Sequence, residues 1–249
     1  MVPWVVPVVL VALWQVLSMA GWLSTKVLPA PFDVARAGWT LATEGQLARD
    51  VLVSTERAAV GFAIGGTVGF ALGLLNGAVP WSARLLDGTM QMVRNIPHLA
   101  LIPLVILWFG IGEEAKVFLV AIGVAFPIYL NTYHGVRNVD AGLIEMSKTY
   151  GLSTRALFWQ VILPGALPSI LVGVRYALGI MWLTLIVAET IAASSGIGYI
   201  TMNAREFLQT DVLVLGILLY ALLGKLADVL ARLLERSLLA WHPSYAGAV

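Results

Sequence analysis

Six apolar runs, at residues 3–20, 58–79, 99–110, 117–135, 166–193 and 212–234, limit what this chain can become more than any other feature. Crossing about 30 Å of hydrocarbon takes roughly 20 predominantly apolar residues as a helix, and most of these runs approach or exceed that length. The run at 99–110 is short. It is expected to extend backwards through residues 90–98, whose polar groups then face protein or a water-filled cavity, because lipid offers them no partner. Hydrophobic residues are 59% of the 249 and charged ones 12%, a balance that excludes both a soluble globular domain and a disordered chain. With 15 Lys+Arg against 14 Asp+Glu the net charge is +1, which excludes a strongly basic nucleic-acid binder. No cysteine is present, so disulfide and thiol chemistry are excluded too. The expected fold is all-α, a polytopic membrane protein of about six transmembrane helices, with one membrane domain over residues 1–249 and core spans over about 58–234.

The first run has the length of a secretory signal, yet no Lys or Arg precedes Lys26 to form a basic leader, so it reads as a retained helix. Six spans place both termini on one side. If that side is the cytoplasm, the inner cations are Arg84, Arg94, Arg137, Lys148, Arg155, Lys225, Arg232 and Arg236, and the outer ones Lys26, Arg36, Arg49, Arg57, Lys116 and Arg205. Eight against six favours cytoplasmic termini by count and leaves the orientation open. Between the first two spans, residues 28–31 break structure. Residues 39–57 then read as an interfacial helix, with Leu47, Val51 and Ala58 on one face and Glu44, Asp50, Glu56 and Arg57 polar.

Gly61, Gly65, Gly69, Gly73 and Gly77 recur every fourth residue in the second span, a stripe that lets another helix approach at backbone distance or, alternatively, lets the span bend. Pro127, Pro103 and Pro168 are expected to interrupt the fourth, third and fifth spans. Within the fifth, Arg175 and Glu189 are ionisable at membrane depth, which marks a functional-site candidate. They lie about 21 Å apart along the axis and about 40° apart around it, so they share a face without pairing. Gly179, Trp182 and Ile186 fall on the same face. One reading makes this stripe a translocation path on which Arg175 attracts an anion; the other has Arg175 neutralised by a neighbouring helix and Glu189 at the interface. Arg94 and His98, four apart on an expected helix face, suit either an anion exit site or interfacial anchoring.

Residues 140–164 are too polar for a span and too patterned for a slack loop. Leu143, Met146 and Tyr150, then Ala156, Leu157 and Phe158, make two short apolar faces on either side of Gly151. Glycine there suits the C′ position of a helix, Ser153 suits the N-cap of the next, and Pro164 is expected to stop that second helix before the membrane resumes. The stretch therefore reads as a docking element.

Here the residues resemble the membrane-spanning permease subunits of bacterial ABC importers that work with a binding protein. The family's cytoplasmic loop runs Glu-Ala-Ala, three residues, Gly, nine residues, Ile, one residue, Leu-Pro. Glu145, Gly151, Leu163 and Pro164 match that pattern, Val161 replaces the Ile, and Met146 and Ser147 replace the alanines. Residues 94–112, 126–138 and 181–197 look like the nitrate, taurine and sulfonate branch, and residues 202–211 look most like its aliphatic sulfonate permeases. A basic N-terminal stretch common in relatives is missing before Lys26.

The resemblance implies a type I ABC importer (MetI-like) permease fold in the bacterial inner membrane, with cytoplasmic termini. It implies that the loop at 141–164 couples to a separate ATPase through Glu145, Ser147, Gly151, Leu163 and Pro164, with Glu145 holding the turn by capping or a salt bridge. The implied substrate path takes in Arg175, Trp182, Glu189, Arg94 and His98. Implied partners are a second copy of the chain, two cytoplasmic ATP-binding subunits, a periplasmic or lipid-anchored substrate-binding protein, a small anionic substrate and membrane lipid, with no nucleic acid. No cofactor is expected in this chain; ATP and Mg belong to the partner ATPase. Aliphatic sulfonates are the expected cargo, with taurine, nitrate or bicarbonate as alternatives.

Gly224-Lys225 lacks the upstream glycine and the following Ser or Thr of a P-loop, so the chain is not expected to hydrolyse ATP or to be an enzyme. His98, His134 and His242 have no metal-ligand spacing and no cysteine company, so no metal site is expected. An ion-gradient-driven secondary transporter would show an inverted repeat, and none is visible. An intramembrane enzyme would need a nucleophile with a base, or a metal cluster, on facing spans, and neither stands out.

Overall fold

The computed structural model describes residues 2–24 and 27–242, so Lys26, counted among the outer cations above, lies outside the described residues. Among those residues the elements are helical throughout. They are α1 (Val2–Met19), α2 (Pro31–Thr43), α3 (Gln46–Ala78), α4 (Pro80–Arg94), a 3-10 turn (His98–Leu101), α5 (Ile102–Phe109) and α6 (Glu113–Arg137). There follow α7 (Ala141–Thr149), α8 (Thr154–Leu157), a π-helical turn (Phe158–Ile162), α9 (Leu163–Ala192), α10 (Ile197–Glu206) and α11 (Thr210–Leu238). Among the described residues four helices are long and apolar enough to cross a membrane, α4 with the 3-10 turn and α5 makes a fifth candidate, and α1 is a further apolar helix. Each of the six apolar runs thus falls in helix.

The chain divides into two compact units, Met1–Glu56 with Ile186–Leu223, and Arg57–Leu185 with Gly224–Val249. In the second unit the glycine stripe of α3 is explained by α6. A Cβ on Gly61, Gly65, Gly69, Gly73 or Gly77 would run against the carbonyl oxygen of Val117, Ala121, Ala125, Tyr129 or Tyr133 respectively. Sequence number rises along both helices together, so α3 and α6 run parallel. Close packing is therefore what the stripe provides.

A parallel pair has a topological consequence. The chain leaves α3 at one membrane face and must begin α6 at the other, so residues 79–112 have to carry it back across. α4 and the segment His98–Phe109, bent by 79° at their junction, form that return as one broken span. The short third run thus extends backwards through residues 90–98 as expected, but with a break at residues 95–97. Asn95, Ile96 and Pro97 separate Arg94, the end of α4, from His98, the start of the 3-10 turn, so these two residues do not share a helix face. Pro97 accounts for the break, because its ring disfavours helical backbone in the residue before it. Pro103 does not interrupt a span; it stands in the first turn of α5, where no intrahelical N–H is required.

The helix expected over residues 39–57 is two pieces. Gly45 adopts φ +76° and ends α2, while Gln46 opens α3, which continues without interruption into the second apolar run. α9 packs antiparallel to α6: Gly135 lies against Ala166 and Ser169, Gly173 against Asn131 and Pro127, and Gly123 against Ile180 and Thr184. Val136, Ala166 and Ile170 form a buried cluster at one end of this pair, with Leu163 packed on it. Pro127 and Pro168 stay inside unbroken helices.

Candidate functional site

The segment between α6 and α9 is built on local hydrogen bonds. Asp140 caps α7, its Oδ1 accepting from the Gly142 N–H at 2.6 Å and the Leu143 N–H at 3.2 Å. Ser147 is buried and donates to the Leu143 carbonyl at 2.7 Å. At the C-terminus Gly151, with φ +80°, donates to the Lys148 carbonyl at 2.9 Å, and Leu152 donates to the Ser147 carbonyl at 3.1 Å. That pair of bonds is a Schellman motif, and the left-handed residue it requires is the glycine read from the sequence. Ser153 then caps the next helix, accepting from the Ala156 N–H at 3.3 Å.

Two expectations for this segment change. Glu145 does not hold the turn: its side chain is exposed, the N-cap is Asp140, and its backbone carbonyl accepts from the Thr149 hydroxyl at 3.0 Å. Pro164 does not stop the second helix. α8 runs through the π-helical turn into α9, so residues Thr154–Ile191 form one apolar helical stretch. In the π turn the Leu163 N–H reaches back five residues to the Phe158 carbonyl. Widening the turn just before Pro164 relieves the clash its ring would otherwise make with the carbonyl four residues back. The outcome is a corner held by local hydrogen bonds and continuous with α9. Leu143, Met146 and Tyr150 stand exposed on its α7 side, whereas Leu157 is buried.

Within the membrane-spanning part the candidate residues separate. Arg175 on α9, 41% exposed, pairs with Asp228 on α11 at 2.9 Å and approaches Glu235 at 3.8 Å. Asp228 also takes Lys225 at 3.2 Å and Arg232 at 3.0 Å. Glu189 is buried. Its carboxylate accepts from the Ser54 hydroxyl, the Tyr220 hydroxyl, each at 2.8 Å, and the Gly198 N–H at 2.9 Å. Ser54 accepts in turn from the Ile197 N–H at 2.9 Å, and Asp50 from the Gly196 N–H at 2.7 Å. The node therefore fixes the turn at residues 196–198 to α3 and α11. Trp182 is buried, and Arg94 is exposed at the end of α4. His98 shares a 2.9 Å hydrogen bond with the fully buried Thr184, in space that Gly123 leaves open.

Sequence reasoning missed Ser54, Tyr220, Thr184 and Asp228. The hydroxyl residues carry no charge to mark them, Thr184 and Tyr220 in apolar runs and Ser54 in the interfacial stretch; Asp228 did, and went unread beside the cations around it. Arg57 and Lys116, counted above as outer-loop cations, are both buried on helices and share the Glu113 carboxylate. They are structural ion pairs, not topology signals. Among the described residues no group of His, Asp or Glu could hold a metal ion.

Residues 65–240 match the family described as the inner membrane component of binding-protein-dependent transport systems. The permease protein SsuC of Escherichia coli (strain K12), named for aliphatic sulfonates transport, is 64% identical over 98% of this chain and 92% of its own length. SsuC of Bacillus subtilis (strain 168) is 45% identical over 97% and 87%, and the taurine transport system permease TauC of E. coli 34% over 94% and 87%. Among solved structures, an amino acid ABC transporter superposes with TM-score 0.64 at 16% identity, covering 81% of this chain and 97% of that one. The MetNI methionine ABC transporter gives 0.59 at 22% identity, covering 77% and 97%. These structures bear on the fold, and the broken span, the capped corner and the buried charge nodes described above are set within it. The chain belongs to the family of inner membrane components of binding-protein-dependent transport systems, as a multi-pass permease without ATPase chemistry of its own.

Proposed function

We propose that the chain is the permease subunit of an ATP-driven importer of aliphatic sulfonates, acting as one permease domain paired with a second copy. The observation that carries the cargo is the 64% identity, spread over 98% of the chain, to a permease named for aliphatic sulfonates, against 34% to one named for taurine. Two cytoplasmic subunits would bind ATP and Mg, and a separate binding protein would deliver the solute. The corner at residues 141–164 is the coupling element in this reading. Its exposed Leu143, Met146 and Tyr150 supply an apolar crest for an ATPase groove. Gly151, Leu163 and Pro164 supply the stiffness that converts a push on the crest into a tilt of α6 and α9, and the Ser147 hydroxyl, bonded to the Leu143 carbonyl, reinforces α7 beneath the crest.

The test is uptake of labelled alkanesulfonate, taurine and nitrate by the complete complex in proteoliposomes, with and without ATP. ATP-dependent accumulation of the alkanesulfonate in preference to the other two is expected. Preference for taurine or nitrate overturns the cargo, and uptake by this chain alone under an ion gradient overturns the importer.

A further inference from the structure

In the unit formed by Arg57–Leu185 and Gly224–Val249, α9 and α11 line an open cavity of about 480 Å³ whose wall includes Arg175 and Asp228. Two glycines face it. A Cβ on Gly179 or Gly224 would have nothing within 4 Å, unlike the glycines of α3, which are filled against α6. Mid-helix glycine costs up to about 1 kcal/mol relative to alanine, and neither position has the positive φ that would call for it. The cavity is space that packing within the chain does not need.

Its charges are out of balance. Arg175, Lys225 and Arg232 all converge on Asp228, and Glu235 at 3.8 Å from Arg175 is the second acid. Three cations thus meet two carboxylates, roughly 18 Å along α9 from Leu163, and a surplus cation is costly wherever apolar surroundings replace water. Apolar Val172 and Leu178 and the exposed ring of Tyr176 complete the wall. A guanidinium whose Nε and one terminal nitrogen rest on Asp228, and which stands beside an apolar wall, could exchange that carboxylate for an oxyanion that bears a short hydrocarbon tail.

We propose that this cavity is an anion site, in which Arg175 leaves Asp228 to hold the tetrahedral head of a small organic anion while the tail lies against Val172 and Tyr176. Asp228 is the built-in counter-ion that occupies Arg175 when the site is empty, so each passage exchanges one ion pair for another and leaves no bare cation in the membrane. The inference rests on the importer reading above. The same head-group chemistry exists on an anionic phospholipid, which fixes the design of the test.

The assembled complex is placed in nanodiscs of phosphatidylcholine, and binding of labelled alkanesulfonate is measured directly. Arg175→Gln and Gly179→Leu, the second filling space where no atom of the chain stands, are each expected to weaken binding about tenfold or more. Arg175→Lys is expected to recover part of it. Wild-type affinity in both first variants, with monodisperse complex, overturns the site. A second arm adds phosphatidylglycerol: if that lipid competes with alkanesulfonate in wild type, or co-purifies with wild type and is lost from Arg175→Gln, the site belongs to lipid and the solute assignment is overturned. If nitrate or taurine binds in place of alkanesulfonate with the same variant dependence, the site stands and the cargo reading falls.

Discussion

Arg57 and Glu113 form an ion pair across α3 and α6, and the 56 residues that separate them also separate each stripe glycine from the α6 carbonyl it faces. One parallel ridge, opened by an ion pair, thus runs from Arg57 to Gly77. Replacing a glycine in its middle pushes two backbones apart. Gly65→Leu is expected to destabilise the protein by about 3 kcal/mol or more, because the atom in the way is the Ala121 carbonyl and cannot rotate aside. Gly88→Ala, at a helical position with open space, is expected to be neutral or slightly stabilising. Thermal melting of both variants in detergent, read as loss of monodisperse protein, checks the contrast.

Gly151 holds φ +80° at the C-terminus of α7, a conformation that costs an ordinary residue roughly 1–2 kcal/mol and a β-branched one more. Gly151→Val is expected to leave the spans inserted and the complex assembled but to separate ATP hydrolysis from uptake. Gly151→Asn, which tolerates the left-handed region, is expected to keep most of the coupling. The ratio of solute moved to ATP hydrolysed in proteoliposomes is the measurement, and equal ratios for wild type and Gly151→Val would count against a coupling role.

Asp140 is the side-chain cap of α7, whereas the resemblance implied that Glu145 holds the turn by capping or a salt bridge. Asp140→Ala is expected to lower the stability of α7 by about 1 kcal/mol, whereas Glu145→Ala is expected to have no effect on fold stability, its side chain being exposed. Amide hydrogen exchange over residues 141–149 separates the two, with faster exchange expected only in Asp140→Ala.

Glu189 takes three donors with its two oxygens, so an amide in its place would present N–H where O–H and N–H already point. Glu189→Gln is expected to cost about 1–3 kcal/mol, and to expose the turn at residues 196–198 to protease. Tyr220→Phe removes one donor and leaves the acceptor with others, so it is expected to cost less. Cleavage rates of the purified variants under limited proteolysis rank them.

The corner at residues 141–164 was largely legible because its signals are local: a glycine needing a positive φ, a serine three residues before the N–H it caps, an apolar crest at helical spacing. Pro164 shows where local reading fails. A proline is a helix breaker only if its surroundings keep normal α-helical bonding, and the π turn from Phe158 to Ile162 removes that condition. The fate of Arg175 was left between two readings for a related reason. Its charge was visible, but whether an arginine at membrane depth meets solute, lipid or a carboxylate depends on which helix lies beside it.

By itself the amino-acid sequence determined that this chain is a bundle of apolar helices, where the spans fall, that the second is smooth enough for backbone contact, and that a capped turn interrupts the membrane run before the fifth. Those features follow from hydrophobic length and residue-level conformational preference, both properties of a few consecutive residues. Only the tertiary structure decided that α3 and α6 are parallel, that residues 79–112 are therefore one broken span, that Glu189 rests on Ser54 and Tyr220, and that Arg175 is balanced by Asp228. In a low-dielectric interior every polar group must find a partner, and that partner is chosen by helix neighbourhood, across separations in sequence that no periodicity encodes.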